Sequence, residues 1–267
     1  METLTIIIAA YNENSTFPQV MDSVLSLPLS GLNKEIIVVE SNSSDGTRES
    51  VLGYGDNPQV KIILEDKPMG KGHAVRAGLA AATGDYILIQ DADLEYDIND
   101  YPKLLAPLIS GSADFVLGSR HSRERRSWKI RNFLNEKLLQ HYCNLGHLFF
   151  LSLFNIFYGQ SLKDPFTMYK VFRRECLKGL TFTANRFDFD WELAGKLCRN
   201  GYVPLEIPVN YMSRGFKEGK KIRLIYDPIT WVIACIKYRF CPLRAGSENI
   251  SGKASACADS EKFNRRR

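Results

Sequence analysis

Short apolar runs alternate with segments of helical periodicity through the N-terminal third of the chain. Residues 4–10 form a continuous apolar run, and after a polar turn the apolar residues over 17–25 recur at the spacing of a helix. The same alternation predicts strands at residues 35–39, 60–64 and 86–90, with helices after Asp45 and over residues 71–82. Strands that are apolar on both faces and alternate with helices indicate a mostly parallel sheet, flanked by helices on both sides.

The second half of the chain has a different composition. It begins near Arg120 with a basic loop, followed by a predicted helix from about Trp128 and an aromatic run at residues 148–158. Further along we expect strands at residues 166–172 and 203–211 and helices at residues 187–199 and 222–240. Beyond Pro242 the sequence is rich in Ser, Lys, Arg and Ala without periodicity, which predicts a disordered tail over residues 241–267.

The predicted parallel strands place several polar loops at one edge of the sheet. In such sheets, ligands bind outside the carboxyl ends of the strands. Here those ends are followed by polar segments at residues 11–13, 40–47, 68–72 and 91–93. We therefore expect these loops to converge on one ligand-binding crevice.

Charge and cysteine usage narrow the class of protein. The formal net charge is +5 over 267 residues, and basic residues concentrate at 120–131, at 214–223 and in the last few positions. Local basic sites therefore matter more than the net figure, and we expect no nucleic-acid partner. The six cysteines form no CxxC pair, which favours reduced packing residues in a cytoplasmic protein.

No segment is predicted to cross a membrane. Residues 4–10 lack the basic lead-in of a signal peptide, and the longest apolar stretch, residues 148–158, is shorter than the roughly 20 residues that a spanning helix needs. That stretch and a second apolar pattern around Trp231 have helical spacing. Such a pattern is typical of core helices, and with basic residues nearby it is also compatible with helices that lie in a membrane interface.

Two aspartates directly follow the strand predicted at residues 86–90. Asp91 and Asp93 are separated by one residue, and Glu95 lies close enough to join them. Carboxylates presented in this way are typical ligands of Mg²⁺ or Mn²⁺, which complete their coordination with water and phosphate oxygens. An aspartate after a strand is also typical of a helix N-cap, and this motif alone does not separate the two interpretations.

A loop that contains glycine and lysine precedes the helix predicted at residues 71–82. Gly70, Lys71 and Gly72 would present backbone N–H groups and a positive side chain, a combination that favours phosphate binding. The loop is not a Walker A motif, which needs GxxxxGK followed by Ser or Thr. A plain turn capped by glycine is the alternative interpretation.

Several short motifs follow one another in a fixed order along the chain. They are YNE at 11–13, SSDGT at 43–47, GKGHA at 70–74, GDY at 84–86, DADLE at 91–95, GSR at 118–120, YKVFR at 169–173, EIPV at 206–209 and EGKKI at 218–222. This series resembles the family 2 glycosyltransferases with the GT-A fold, in particular dolichyl-phosphate mannosyltransferases and polyprenyl-phosphate glycosyltransferases. The resemblance covers about residues 3–240.

The resemblance implies that residues 1–119 bind a nucleotide-sugar donor and that residues 120–240 form the acceptor side of the same GT-A domain. Family members usually have two adjacent aspartates where this chain has Glu40 and Ser41, so a UDP or a GDP donor remains open. The donor-binding residues that we expect are Ala10, Tyr11, Glu13, Glu40, Ser41, Asp45, Gly70, Lys71, Asp91 and Lys220.

The resemblance also implies an acceptor site and a catalytic set. Arg120, Arg131 and Lys221 are expected to bind the acceptor, here a polyprenyl phosphate. Inversion at the anomeric carbon places negative charge on the leaving diphosphate. Mg²⁺ or Mn²⁺ on Asp91, Asp93 and Glu95, together with Arg214 or Lys220, would stabilise that charge. A lipid phosphate is already anionic and needs no base, whereas a hydroxyl acceptor needs a carboxylate, first Asp164 and then Asp190 or Glu192.

The resulting hypothesis is a metal-dependent, inverting hexosyltransferase, peripheral at the cytoplasmic face of a membrane. One alternative is a family 2 enzyme that acts on a soluble glycan or a protein hydroxyl. Another is a nucleotide-binding regulatory protein without turnover. A nucleotidyltransferase is disfavoured because its glycine-rich loop would directly follow the first strand, where this chain has Tyr11, Asn12 and Glu13.

Overall fold

One seven-stranded sheet forms the centre of the part of the chain described by the computed structural model, which comprises residues 1–121, 130, 137–214 and 226–243. The strands are β1 (Glu2–Ala10), β2 (Leu32–Glu40), β3 (Val60–Leu64), β4 (Tyr86–Asp91), β5 (Phe115–Ser119), β6 (Lys170–Arg173) and β7 (Leu205–Pro208). The helices are α1 (Phe17–Ser26), α2 (Thr47–Leu52), α3 (Lys71–Ala81), α4 (Tyr101–Ile109), α5 (Lys137–Tyr158), α6 (Phe189–Arg199) and α7 (Tyr226–Phe240).

The strand order is β3-β2-β1-β4-β6-β5-β7, and the sheet is mostly parallel, as the sequence predicts. Strands β1 to β4 are parallel to one another where they pair, with Ile6 opposite Ile36 and Leu88. Strand β6 runs antiparallel to both of its neighbours, β4 and β5, and β7 is parallel to β5. The carboxyl ends of β1, β2 and β4 therefore lie side by side at one edge of the sheet.

The two faces of the sheet belong to two apolar layers. Along β1, Leu4, Ile6 and Ile8 belong to the layer that contains the buried residues of α1 and α4. Ile7 belongs to the opposite layer, which contains buried residues of α5, α6 and α7. Because side chains alternate along a strand, one run of consecutive apolar residues fills both layers.

Several elements differ from the sequence prediction. Of the strand predicted at residues 166–172, only residues 170–172 belong to β6, and before them the chain turns, with the Thr167 N–H donating to the Asp164 backbone carbonyl at 3.4 Å. The strand predicted at 203–211 is limited to Leu205–Pro208. Helix α4 and strand β5 were not predicted, because Pro102 and Pro107 weaken the helical signal and β5 has only five residues.

Some predicted features fall outside the described residues. They include the start of the helix expected from about Trp128, the first residues of the helix expected at 222–240, and the tail beyond Leu243. Among the described residues, no helix combines the length and the apolar character needed to cross a bilayer. The described cysteines are free thiols, as expected for packing residues; they are Cys143, Cys176, Cys198, Cys235 and Cys241.

The apolar layer beneath α1 gives a direct test of the fold. Phe17 is fully buried and packs edge-on against Tyr54, with the ring centroids 5.9 Å apart. We expect Phe17→Ala to lower the free energy of unfolding by about 3–5 kcal/mol, since it removes buried area and leaves a cavity. Leu52→Ala, at a side chain that is 51% exposed, is the matched control and should change it by less than about 1 kcal/mol. Urea denaturation measures both, and equal losses would contradict the assignment of this layer.

Candidate functional site

A cavity of about 1070 Å³ opens at the carboxyl edge of the sheet. The loops after β1 and β4 and the start of α3 form its polar end. Residues of α5 and α7 form its other end, which is mostly apolar. The four loops predicted from the sequence to converge thus contribute to one crevice, although to different extents.

The loops after β1 and β2 hold each other in place. Asn12 and Asn42 adopt left-handed backbone conformations, with φ of 50° and 55°, which asparagine tolerates better than most residues. The Asn12 backbone N–H donates to Ser43 Oγ at 2.9 Å, and Asn12 Oδ1 accepts from the Ser44 N–H at 2.9 Å. This reciprocal pair fixes the chain where it leaves the two strands.

Glu40 stabilises the loop after β2 from within. Its buried carboxylate accepts hydrogen bonds from the Ser43 N–H at 2.6 Å and from Arg48 Nε at 2.5 Å. Burial alone would raise the pKa of Glu40, but these hydrogen bonds and the Arg48 charge lower it. The carboxylate is therefore committed to the loop, and the next residue, Ser41, lines the cavity instead.

Asp45 has a similar local role. Its carboxylate accepts from Thr47 Oγ1 at 2.5 Å and from the Asn14 N–H at 3.1 Å. These bonds outweigh the effect of burial and lower the pKa of Asp45. Glu40 and Asp45 lie outside the cavity lining, whereas the other predicted donor residues of these loops line it: Ala10, Tyr11, Glu13 and Ser41.

The start of α3 packs tightly against α6. Gly70 has φ of +102°, and a Cβ added to Gly72 would approach Phe189 Cβ to 2.7 Å, so both positions require glycine. Lys71 thereby projects into the cavity, where it forms an ion pair with Asp91 and lies 3.1 Å from Met168 Sδ. Burial would lower the pKa of Lys71, but the charges of Asp91 and Asp190 raise it.

Arg214 lies at the centre of the acidic end of the cavity. Its guanidinium donates to Asp93 Oδ2 at 2.6 Å and to the two carboxylate oxygens of Glu13 at 3.1 and 3.3 Å. Glu95 Oε1 accepts from the Arg214 backbone N–H at 2.8 Å, and Glu95 Oε2 accepts from the Tyr211 hydroxyl at 2.9 Å. Residues 211–214 are thus attached to the loop after β4.

This end of the cavity carries more negative than positive charge. The pKa of Asp93, which is 8% exposed, is raised to about 7, first by burial and then by the charges of Asp91 and Glu95, while Arg214 acts in the opposite direction. With Glu13, four carboxylates face the cations of Lys71 and Arg214. Counted over the described residues alone, the four carboxylates when ionised exceed these two cations by two charges, a balance that suits a divalent cation.

The predicted metal ligands do not form a finished coordination site. Asp91 is paired with Lys71 and Asp93 with Arg214. Across the described ranges, no group of three or more His, Cys, Asp or Glu side chains is arranged to hold a metal ion. A metal at this position would therefore depend on ligands that a bound molecule supplies, as is usual for Mg²⁺ on one or two carboxylates.

Arg120 and Asp164 form a buried ion pair at the side of the cavity. Arg120 Nε and Nη2 donate to the two Asp164 oxygens at 2.7 and 2.6 Å, and the Arg120 backbone N–H donates at 2.9 Å. Burial would raise the pKa of Asp164, but Arg120 holds it well below its usual range. The Arg120 guanidinium also lies 5.4 Å from the centre of the Tyr211 ring and lines the cavity.

A second buried pair joins β6 to α6. Lys170 Nζ donates to Asp190 Oδ1 at 2.6 Å, and Lys170 is fully buried while the Asp190 carboxylate lines the cavity. Lys170 enters the sequence prediction only as part of the YKVFR motif and without a role of its own, although a lysine within the strand predicted at residues 166–172 was a visible signal. Glu192 is used structurally, since its carboxylate accepts from the backbone N–H groups of Thr183 and Ala184.

The apolar end of the cavity is made by α5 and α7. The aromatic run of α5 divides between two environments, because Phe150 and Phe154 are buried in the core whereas Phe149 is 57% exposed. Leu145 and Tyr142, one turn and two turns before Phe149, are also more than half exposed and line the cavity. Ile229 and Trp231 of α7 lie on the opposite side.

Three predicted site residues, Arg131, Lys220 and Lys221, lie outside the described residues. The remaining donor, catalytic and metal predictions fall into two groups. Those at the cavity are Ala10, Tyr11, Glu13, Ser41, Gly70, Lys71, Asp91, Asp93, Glu95, Arg120 and Arg214. Those outside its lining are Glu40, Asp45 and Asp164.

The fold and the crevice define an α/β protein of the GT-A type. Glucosyl-3-phosphoglycerate synthase from Mycobacterium tuberculosis has a similar structure, with a TM-score of 0.66 over 92% of this chain and 83% of that one, at 22% identity. The same synthase with UDP superimposes with a TM-score of 0.64, over 90% of this chain and 81% of that one, also at 22% identity. At this level of identity, the similarity establishes the fold.

The chain belongs to glycosyl transferase family 2, whose model matches residues 5–181. A dolichol-phosphate mannosyltransferase from Pyrococcus furiosus is 28% identical over 236 residues, which is 85% of this chain and 64% of that protein. An undecaprenyl-phosphate 4-deoxy-4-formamido-L-arabinose transferase from an Enterobacter species is 26% identical, over 85% of this chain and 66% of that protein. The chain thus spans slightly less than two thirds of either relative.

The Arg120–Asp164 pair predicts a specific dependence of stability on pH. Asp164→Asn leaves a buried guanidinium without its counter-charge and should cost about 3–5 kcal/mol at neutral pH. Because the folded-state pKa of Asp164 is lowered, its contribution to the free energy of unfolding is fully present above the unfolded-state pKa of about 3.9. That contribution is lost as the pH falls from this value through the folded-state pKa. The difference between wild type and Asp164→Asn in urea denaturation should therefore narrow below about pH 4.

A matched control is available at the surface. Asp114, which is half exposed, pairs with Arg173 at 3.4 Å, and Asp114→Asn should cost less than about 1 kcal/mol at any pH. An Asp164→Asn variant as stable as the Asp114→Asn variant would contradict the buried ion pair.

Proposed function

We propose that this protein transfers a hexose, with inversion, from a nucleotide-diphosphate sugar to a polyprenyl phosphate. The observation that carries the proposal is the two-sided cavity. One end presents carboxylates and cations, and the other end presents aliphatic and aromatic side chains of α5 and α7. A substrate pair made of a charged donor and a lipid phosphate matches both ends.

The donor end suits a nucleotide diphosphate. Family membership, the UDP bound to the mycobacterial synthase and the position of the cavity at the carboxyl edge of the sheet all support this assignment. Tyr11, Glu13 and Ser41 line the part of the cavity where the nucleotide would enter, and Lys71 and Arg214 supply positive charge for the diphosphate.

The acceptor end suits a lipid. The exposed faces of Tyr142, Leu145 and Phe149 on α5 and of Ile229 on α7 would be buried by an isoprenoid chain. The printed names of the two curated relatives refer to dolichol phosphate and undecaprenyl phosphate, which supports the same acceptor class. Arg120 lines the cavity between the two ends, where the acceptor phosphate would lie.

The proposed reaction needs no general base. An acceptor phosphate oxygen, already ionised at neutral pH, attacks the anomeric carbon while the bond to the donor diphosphate breaks. Arg214 stabilises the charge that develops on the leaving group. Asp164 serves as a positioning residue, because its lowered pKa and its bidentate pairing orient Arg120 rather than accept a proton.

A divalent cation is part of the proposal. Asp91, Asp93 and Glu95 would hold Mg²⁺ or Mn²⁺, which when bound supplies a Lewis acid for the leaving diphosphate. The surplus of negative charge around Asp93 fits this assignment. The mycobacterial synthase has been crystallised with Mn²⁺ and UDP and with Mg²⁺ and UDP, which gives further support.

We further propose that the protein associates peripherally with the cytoplasmic face of a membrane. Exposed apolar side chains on α5 and α7, among them Leu138, Ile156, Ile233 and Phe240, extend the apolar end of the cavity onto the surface. Both helices follow segments that are rich in Lys and Arg. Apolar side chains beside basic ones are typical of surfaces that bind anionic bilayers.

A soluble phosphorylated acceptor is the second candidate. The mycobacterial synthase of similar fold binds phosphoglyceric acid, and the donor end and Arg120 would serve such an acceptor equally well. The apolar end of the cavity favours the lipid, because a small acid leaves those side chains exposed to water.

A transfer assay tests the proposal directly. UDP- and GDP-sugars are offered with Mg²⁺ or Mn²⁺, and radiolabel is counted in polyprenyl phosphate, in phosphoglyceric acid and in released free sugar. We expect transfer into the lipid from one nucleotide class, and loss of transfer by at least a hundredfold in Asp93→Asn and in chelator. Efficient transfer into the soluble acid alone would overturn the lipid acceptor. A fold-competent protein that neither transfers nor hydrolyses any donor would support a purely regulatory nucleotide-binding role.

The apolar wall can be tested separately from the chemistry. Phe149→Ser should lower kcat/KM for the lipid phosphate roughly tenfold while leaving slow donor hydrolysis unchanged, since it removes apolar contact at the acceptor end only. It should also weaken sedimentation with anionic liposomes at low salt. Leu52→Ser, at an equally exposed residue of α2, is the matched control and should change neither. Equal behaviour of the two variants would argue against the lipid-binding wall.

A further inference from the structure

Both aspartates predicted to hold a metal are already neutralised by cations of the chain. Lys71 of α3 pairs with Asp91, and Arg214 donates to Asp93 at 2.6 Å. Arg214 also reaches Glu13 at 3.1 Å and lies 3.8 Å from Glu95 Oε1. The charges of four carboxylates therefore meet two cations at the position where a divalent ion would be expected.

These ion pairs engage oxygens of both aspartates, since Lys71 pairs with Oδ1 of Asp91 and Arg214 with Oδ2 of Asp93. Asp93 Oδ1 accepts from the Glu95 N–H at 3.0 Å while Oδ2 accepts from Arg214, so both of its oxygens are engaged. Within the described ranges, no three-ligand set is left for a metal. A divalent ion that arrives alone would have to compete with Lys71 and Arg214 for the charge of these two aspartates.

A nucleotide diphosphate changes this balance. Its phosphate oxygens are anionic and can accept hydrogen bonds from both Lys71 and Arg214, and they can also complete the coordination shell of the metal. Elsewhere in the cavity, the pairs Arg120–Asp164 and Lys170–Asp190 are internally balanced. Lys71 and Arg214, by contrast, are paired with Asp91 and Asp93, the two aspartates predicted to hold the metal.

We propose that Lys71 and Arg214 are resident cations that exchange partners when the donor binds. Before binding they neutralise Asp91 and Asp93 and keep a free divalent ion out. On binding they move to the diphosphate, and the metal takes their place on the carboxylates. This inference rests on the metal-dependent donor site of the proposed function, and it makes metal and nucleotide binding obligatorily coupled.

The exchange predicts effects of opposite sign in one variant. In Arg214→Met and in Lys71→Met, Mn²⁺ alone should bind at least about tenfold more tightly than in the wild type, because a competing charge is removed. The same variants should bind UDP or GDP in excess Mg²⁺ at least about tenfold more weakly, because the diphosphate loses a cation. A residue that only supported the fold would lower both affinities.

The measurement uses the full chain. Free Mn²⁺ is titrated by electron paramagnetic resonance with and without saturating UDP or GDP, and nucleotide affinity is measured by calorimetry. The wild type should bind Mn²⁺ at least about tenfold more tightly with the nucleotide that it accepts. Arg214→Lys keeps the charge and should stay close to the wild type in the metal titration. Lys103→Met removes a lysine paired with Asp100 outside the cavity and should change neither affinity.

The outcomes separate the two proposals. Tight binding of Mn²⁺ to the wild type without nucleotide, or unchanged binding of Mn²⁺ alone in both Met variants, would overturn the exchange and leave the glycosyltransferase proposal standing. Absence of Mn²⁺ binding in every variant and under every condition would overturn both the exchange and the metal assignment. The glycosyltransferase proposal is tested separately, by the assay of transfer to polyprenyl phosphate. Should Arg214→Met not fold, Lys71→Met alone decides the question.

Discussion

Several carboxylates lie close together at the carboxyl edge of the sheet. They are stabilised there by ion pairs with cations from distant parts of the sequence. Arg214 reaches Asp93 across 121 residues, and Arg120 reaches Asp164 across 44. Burying one of these acids without its partner would cost several kcal/mol. The second half of the chain is therefore required to complete the site at the edge of the first half.

The same constraint explains how the site can be both stable and reactive. The Arg120–Asp164 pair is buried and internally balanced, and a backbone hydrogen bond adds to its two side-chain bonds, so it behaves as a fixed part of the scaffold. Arg214 is different, because it is shared among several carboxylates whose combined charge exceeds its own. Among the described residues, the carboxylates of this cluster outnumber its cations, and such a balance favours a ligand that adds positive charge.

The apolar end of the cavity arises from how α5 and α7 pack. Phe150 of α5 meets Trp231 of α7 edge-on with ring centroids 5.2 Å apart, and both residues contribute to the layer beneath the sheet. Both residues also line the cavity, together with Phe149 and Ile229 of the same two helices. One apolar sequence thus serves the core and forms a surface for a ligand.

The sequence by itself determined the parallel strands of the first half, the glycine turn before α3 and the carboxylates that follow β4. These features are local, because continuous apolar runs and turn residues act over a few positions along the chain. The tertiary structure decided the rest. The sequence predicts Glu40 and Asp45 as donor-binding residues, and in the structure both accept hydrogen bonds within their own loop, whereas Asp164, predicted as a candidate base, is paired with Arg120. The role of a carboxylate depends on which donor lies within hydrogen-bonding distance, and that is set by contacts between residues far apart in the chain.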